Sequence, residues 1–200
     1  MFPPCPANLT RAPQVYIKIL DFALYSPGDK DSIPQLLLNE AEIYEILLQY
    51  PHPNMSQSLG CIVGGDGRLE GLSLLKYKST LFERAHDISS FDLDQCKQCI
   101  AALKSALEHL HSLGLAHNDL SAFNIMFTDN GEPVLLDFDT SHPAGTVLDK
   151  GGQVSGWQGI PRALYKESST ECDLEALEYL DMWLKNNFEA MNESVSNDEL

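Results

Sequence analysis

Two short apolar runs, Ile125-Met126-Phe127 and Val134-Leu135-Leu136, flank the turn sequence Asp129-Asn130-Gly131 and read as the buried strands of one hairpin. The polar residues around them constrain the chain most. Asp119 and Asn124 come just before the first strand and Asp137 ends the second, so three polar side chains converge at one end of an apolar support. Turn preference accounts for Asp129 and Asn130. It does not account for the joint spacing of His117, Asp119, Asn124 and Asp137, which outlines a metal and phosphate site.

The residue types suit that chemistry. Moving a phosphoryl group needs an acceptor oxygen placed in line, a group that takes or orients its proton, and metal ions that neutralise phosphate charge. Asp119 is the candidate carboxylate for the proton. Asn124 and Asp137 are hard oxygen ligands of the kind Mg²⁺ prefers, and Mg²⁺ commonly takes only one or two carboxylates beside phosphate and water.

Upstream, residues 14–20 read as a strand with one cation, Lys18, in its middle. Ser32 and Pro34 mark a helix start, and the helix runs to Tyr50 before Pro51. At about 100° per residue, Leu36, Ile43, Tyr44 and Leu47 fall within about 60° of Glu40, while Glu42 and Glu45 fall on the far side. Glu40 is thus a carboxylate on a buried face. It needs a partner there, and Lys18 is the natural candidate.

The spacing H-x-D-x-x-x-x-N over His117 to Asn124, followed by a strand ending in Asp137-Phe138, resembles the catalytic loop and magnesium-binding segment of the protein-kinase-like phosphotransferases. The resemblance spans Val15 to Leu184 and implies a two-lobed α+β fold. It carries Val15-Tyr16-Ile17-Lys18 onto the family's V-A-I-K and Glu40 onto its helix-C glutamate, the pair that holds the α- and β-phosphates of ATP. His52-Pro53-Asn54-Met55 is similar to the H-P-N-I that often follows that helix. Asp119 is then the catalytic base, Asn124 and Asp137 the Mg²⁺ ligands, and Lys18, Glu40, Asn124 and Asp137 the ATP-binding set. The implied N-lobe covers residues 12–76, with a hinge at 74–77 that contacts adenine through its backbone, and the C-lobe covers residues 78–191. Asp173, opening the last helix, resembles the aspartate that anchors the catalytic loop.

The same comparison exposes departures. No G-x-G-x-x-G precedes Lys18, Asn118 replaces the usual arginine, Ser121 stands where many protein kinases have a lysine, and Asp139 makes D-F-D of D-F-G. No A-P-E follows. The expectation is a fold truncated at the glycine-rich hairpin and at the terminal C-lobe helices.

Elsewhere the readings are structural. Gly64-Gly65-Asp66-Gly67 joins two strands, Gly60 to Val63 and Leu72 to Tyr77, and is a hairpin turn rather than a phosphate cradle. On a helix from about Phe91 to Leu113, capped by Gly114, Cys96 and Cys99 share an apolar stripe with Ile100, Leu103, Leu107 and Leu110, so they are core thiols. Residues 142–162 are rich in Gly and Pro and read as a mobile loop. The final helix carries Leu180, Trp183, Leu184 and Phe188 inward, and an acidic, disordered tail is expected from Asn192. A formal net charge of −16 argues against nucleic acid and makes a divalent cation more necessary for holding a nucleotide. With no long apolar run and no signal-like N-terminus, no membrane partner is expected and a cytoplasmic or nuclear location is.

Two classes of function follow. One is an enzyme transferring the γ-phosphoryl of ATP to a Ser/Thr hydroxyl or a small-molecule alcohol. The other is a weak or inactive pseudokinase serving as a binding or regulatory module. D-F-D also resembles small-molecule kinases of the aminoglycoside and choline type, but only about 40 residues separate Tyr77 from His117, too few for their inserted substrate domain.

Overall fold

The structure, a computed structural model, describes residues 3–19, 32–87, 92–154 and 163–198, with side chains given for 34–189 within these limits and for 3–19. Leu20, Phe91 and residues 155–162, to which the sequence readings extend, lie outside them.

In chain order the elements are β1 (Val15–Ile19), α1 (Ser32–Gln49), β2 (Ser58–Val63), β3 (Leu69–Leu75), α2 (Leu81–Ala85), α3 (Leu93–Ser112), β4 (Leu115–Ala116), β5 (Ile125–Phe127), β6 (Pro133–Leu135), a 3-10 turn at Phe138–Thr140, β7 (His142–Pro143), β8 (Gln153–Val154), β9 (Ala163–Leu164) and α4 (Thr170–Asp198). Strands β1, β3 and β2 form an antiparallel sheet in that order, with Lys18 opposite Leu72. The hairpin joining β2 to β3 closes through the Gly64 N–H to Arg68 O and the Gly67 N–H to Gly64 O, as the glycine cluster foretold. Residues 3–5 run along the outer side of β2, where the Cys5 N–H donates to Cys61 O and the Cys61 N–H to Pro3 O, both at 2.9 Å. That contact satisfies part of an edge that a strand cannot leave bare at no cost.

Helix α1 lies against this sheet and buries Leu37, Ala41, Ile43, Tyr44 and Leu47. The second half is built around α3, whose start is fixed by a reciprocal cap: the Gln95 N–H donates to Asp92 Oδ1 and the Asp92 N–H to Gln95 Oε1, each 2.8 Å. Cys96, Cys99, Leu103, Leu107 and Leu110 form its buried stripe and pack towards α4. Burial raises the thiol pKa of Cys96 to about 11 and of Cys99 to about 12, which keeps both protonated and inert. No helix among the described residues is long and apolar enough to cross a membrane.

Two expectations need correction. The glycine-rich stretch from 142 is not loose over its described part: β7 pairs with β4, β8 with β9, and the Leu148 N–H donates to Lys166 O at 2.9 Å. Gly151 and Gly152 serve close contacts: a Cβ on Gly152, at φ +70°, would meet Tyr165 O at 2.2 Å. The expected disordered tail from Asn192 is instead helical as far as Asp198. Acidic composition suggested solvated chain, but residues 185–198 contain neither Gly nor Pro, and extending a formed helix costs far less than starting one.

Leu107 is fully buried at the centre of the α3 stripe. Leu107→Ala should therefore lower stability in urea unfolding by about 2–5 kcal/mol. Chelator should leave the thermal midpoint of the parent protein unchanged, and a fall that disappears in Cys96→Ala/Cys99→Ala would show that this pair holds a metal.

Candidate active site

Hairpin β5–β6 pairs Ile125 with Leu135 and Phe127 with Pro133, and Ile125, Phe127, Val134 and Leu135 are all buried. This dry support fixes the ends from which Asn124 and Asp137 emerge. The loop before it is held from beneath by Asp173, fully buried near the start of α4. Its Oδ2 accepts the His117 N–H at 2.8 Å and lies 2.8 Å from His111 Nε2, and its Oδ1 accepts the Asn118 N–H at 2.8 Å. Asn118 adopts φ +64° and Asp137 φ +65°, so the chain turns sharply at both places where a polar side chain must be presented. The His117 ring bridges them: Nε2 donates to Leu136 O at 2.9 Å, which leaves Nδ1 to accept the Asp119 N–H at 3.3 Å.

On this frame the five residues singled out from sequence come together. Lys18 Nζ lies 2.6 Å from Glu40 Oε2 and also donates to Asp137 Oδ1, joining β1, α1 and the end of the hairpin. Asn124 Nδ2 donates to Asp119 O at 2.8 Å and to Asp119 Oδ2 at 3.1 Å. Between the sheet and the hairpin opens a cleft of about 300 Å³, lined by Lys18, Glu40, Leu75, Asn124, Met126 and Asp137 among others.

The electrostatics follow from burial and pairing. Burial alone would lower the Lys18 pKa, but Glu40, then Asp137 and Asp139, outweigh it and hold the ammonium charged. Burial lifts Glu40 to about 7 against the pull of Lys18. It would also lift Asp137, but Lys18 and Lys150 hold that carboxyl below its ordinary value. At Asp119 burial prevails over His117 and Lys150, and its pKa is raised.

Two residues gain roles that the sequence did not disclose. Asn118 is a neutral junction: its amide lies within bonding distance of Thr140 O (2.9 Å), Ser168 Oγ (3.0 Å) and Ala116 O (3.1 Å), its Oδ1 accepts the Ser169 N–H, and its O accepts the Gly152 N–H at 2.7 Å. Lys150, eleven positions beyond Asp139, places Nζ 2.6 Å from Asp139 Oδ2. The only signal in the sequence was an aspartate following Asp137-Phe138 that would be buried and need a cation.

A family model described as protein kinase domain matches residues 15–147. The chain is 30% identical over 158 residues to the probable cyclin-dependent kinase 10 of Dictyostelium discoideum, covering 73% of this chain and 40% of that protein. It is 33% identical over 112 residues to serine/threonine-protein kinase 16 of Mus musculus, covering 52% and 36%. The hormonally up-regulated neu tumor-associated kinase of Mus musculus is 27% identical over 135 residues, covering 67% and 18%. The chain thus spans less than half the length of these relatives.

The Lys18–Glu40 contact has a pH signature. Glu40 binds its proton more tightly folded than unfolded, so its contribution is full below the unfolded value of 4.5 and is lost as pH rises through about 7. Lys18→Met removes the counter-charge and pushes Glu40 higher still. Its pH-dependent destabilisation should be small near pH 5 and grow to about 1 kcal/mol near pH 8, since each pH unit above the folded value of about 7 adds at most about 1.4 kcal/mol. Adding Glu40→Gln should flatten that slope in urea titrations, and a pH-independent loss would contradict the pairing.

Proposed function

This chain belongs to the protein kinase family, and from that membership we propose that it binds ATP in the cleft between sheet and hairpin and transfers its γ-phosphoryl to a Ser/Thr hydroxyl. One observation carries the reading: Lys18 is held at once by Glu40 on α1 and by Asp137 on the hairpin. A cation fixed by two elements beside a cleft with Leu75 and Met126 on its walls suits a ligand with an apolar ring at one end and phosphates at the other.

The donor set fits Mg²⁺. Asn124 turns its amide nitrogen to Asp119, so its carbonyl oxygen is the end left for a cation, and Asp137 is kept ionised. Asn124 and Asp137 would hold the ion, and bound there it neutralises phosphate charge. In a chain with 29 acidic and 13 basic residues, that neutralisation is needed for any triphosphate to approach.

Asp119 accepts the proton of the acceptor hydroxyl. The acceptor oxygen forms its bond to the γ-phosphorus as the bond to the β–γ bridging oxygen breaks, and ADP leaves. A peptide hydroxyl is favoured over a small alcohol because α2 and α3 occupy most of residues 78–116, where a helical substrate insertion would have to stand. Ser121, uncharged beside Asp119, favours a second reading in which nucleotide is bound and transfer is weak, as in a pseudokinase.

Calorimetry should show ATP binding with Mg²⁺ and its loss with chelator, and equal affinity in both would remove Asp137 and Asn124 as metal ligands. Asp137→Asn should weaken binding itself. Asp119→Asn should keep affinity and lower transfer roughly 10²-fold or more. Incorporation of label from ATP into protein, a panel of small alcohols, or neither separates peptide kinase, small-molecule kinase and pseudokinase.

A further inference from the structure

The loop that carries Asp119, residues 117–124, contains no lysine or arginine, so no cation of its own faces the acceptor side of the site. On the nucleotide side Lys18 is already engaged by two carboxylates. A phosphoryl group in transit spreads negative charge over its equatorial oxygens next to Asp119 and Asp137, and fixed positive charge aimed there is worth more than charge borrowed from solvent.

Lys150 is placed for this. It shares a cleft of about 470 Å³ with Asp119, Gln153, Tyr165 and Lys166. The backbone just after it is clasped to the Asp119 loop, since the Gly152 N–H donates to Asn118 O at 2.7 Å and the Tyr165 N–H donates to Gly152 O at 2.8 Å. A side chain on Gly151, at φ +82°, would press to 3.0 Å from Asn118 O and Thr140 Cβ, so the glycine pair is what lets Lys150 come this close. Its ammonium rests on Asp139 Oδ2, while Asp139 Oδ1 is buried without a partner. The field of Lys150 reaches Asp119 and Asp137 alike. Its side chain remains about 40% exposed, so a long flexible stem can swing from Asp139 towards the cleft.

We propose that Lys150 contacts the phosphoryl group as it passes to the acceptor, supplying from the segment after the hairpin the positive charge that residues 117–124 lack. This rests on the phosphotransfer reading of the same site. The bond changes are those of that reaction: acceptor oxygen to γ-phosphorus forms, γ-phosphorus to bridging oxygen breaks, and the hydroxyl proton goes to Asp119. Lys150 stays protonated throughout and donates hydrogen bonds to the γ-oxygens.

The test compares Mg²⁺-ADP with a Mg²⁺-bound ATP analogue whose β–γ bridge cannot be cleaved, by calorimetry. Lys150→Ala should leave ADP affinity unchanged and weaken the analogue roughly 10- to 100-fold, the range of a charge-assisted hydrogen bond, with Lys150→Arg restoring part of it. Since Lys150→Ala leaves Asp139 buried alone, Lys150→Ala/Asp139→Asn is the companion variant. It should keep the selective loss for the analogue, whereas recovery there, or equal weakening of both nucleotides, would make Lys150 a structural partner of Asp139 and overturn the proposal. An unchanged analogue affinity in Lys150→Ala overturns it as well. If the parent protein bound neither nucleotide, the phosphotransfer reading itself would fall, and the proposal with it.

Discussion

A single ammonium held between two carboxylates ties this protein together. Lys18 comes from the sheet, Glu40 from α1 and Asp137 from the hairpin, and each of these elements is otherwise stabilised mainly by its own apolar face. Hydrophobic burial says that the three must pack but leaves their mutual register soft, because apolar contact is non-directional. Charge and hydrogen-bond geometry remove that freedom. Such an arrangement is weak as a source of stability, since desolvating three charges consumes much of what their attraction returns. Its value lies in where it puts the atoms.

The same logic recurs below the site. Asp173 satisfies two consecutive backbone N–H groups that no strand or helix could reach, and the left-handed residues Asn118 and Asp137 are tolerated because their neighbours are pinned on both sides. The site is therefore most constrained where its local conformations are least favourable, which is how a polar cluster keeps its shape in a chain of high net negative charge.

Much of this was legible in the sequence because it is periodic or local. The apolar hairpin runs, the wheel that turned Glu40 inward, the cysteine stripe on α3 and the glycine turn after β2 all follow from side-chain spacing within one element. The contact of Lys18 with Glu40 needed only that a buried carboxylate find a cation. The pairing of Asp139 with Lys150 and the bonds of Asn118 to Thr140, Gly152, Ser168 and Ser169 were not legible, since they join residues 11 to 51 positions apart through loops whose paths no periodicity encodes. Residues 142–154 misled for a related reason. Glycine signals an unusual backbone, and here the unusual backbone serves close contact rather than freedom. The acidic end of α4 misled because composition reports on solvation, while helix continuation depends on the absence of breakers.

The thiols have a consequence of another kind. All five cysteines are free, and four are buried at separate stations: Cys61 in β2, Cys96 and Cys99 in α3, and Cys172 in α4. Burial raises the pKa of Cys61 to about 11 and of Cys172 to about 12, so these sulfurs are protected chemically as well as sterically. A sulfur becomes reactive only when its surroundings part. The chain thus carries internal reporters on the sheet, on α3 and on α4, and the order in which an alkylating reagent reaches them would trace which portion of the molecule loosens first.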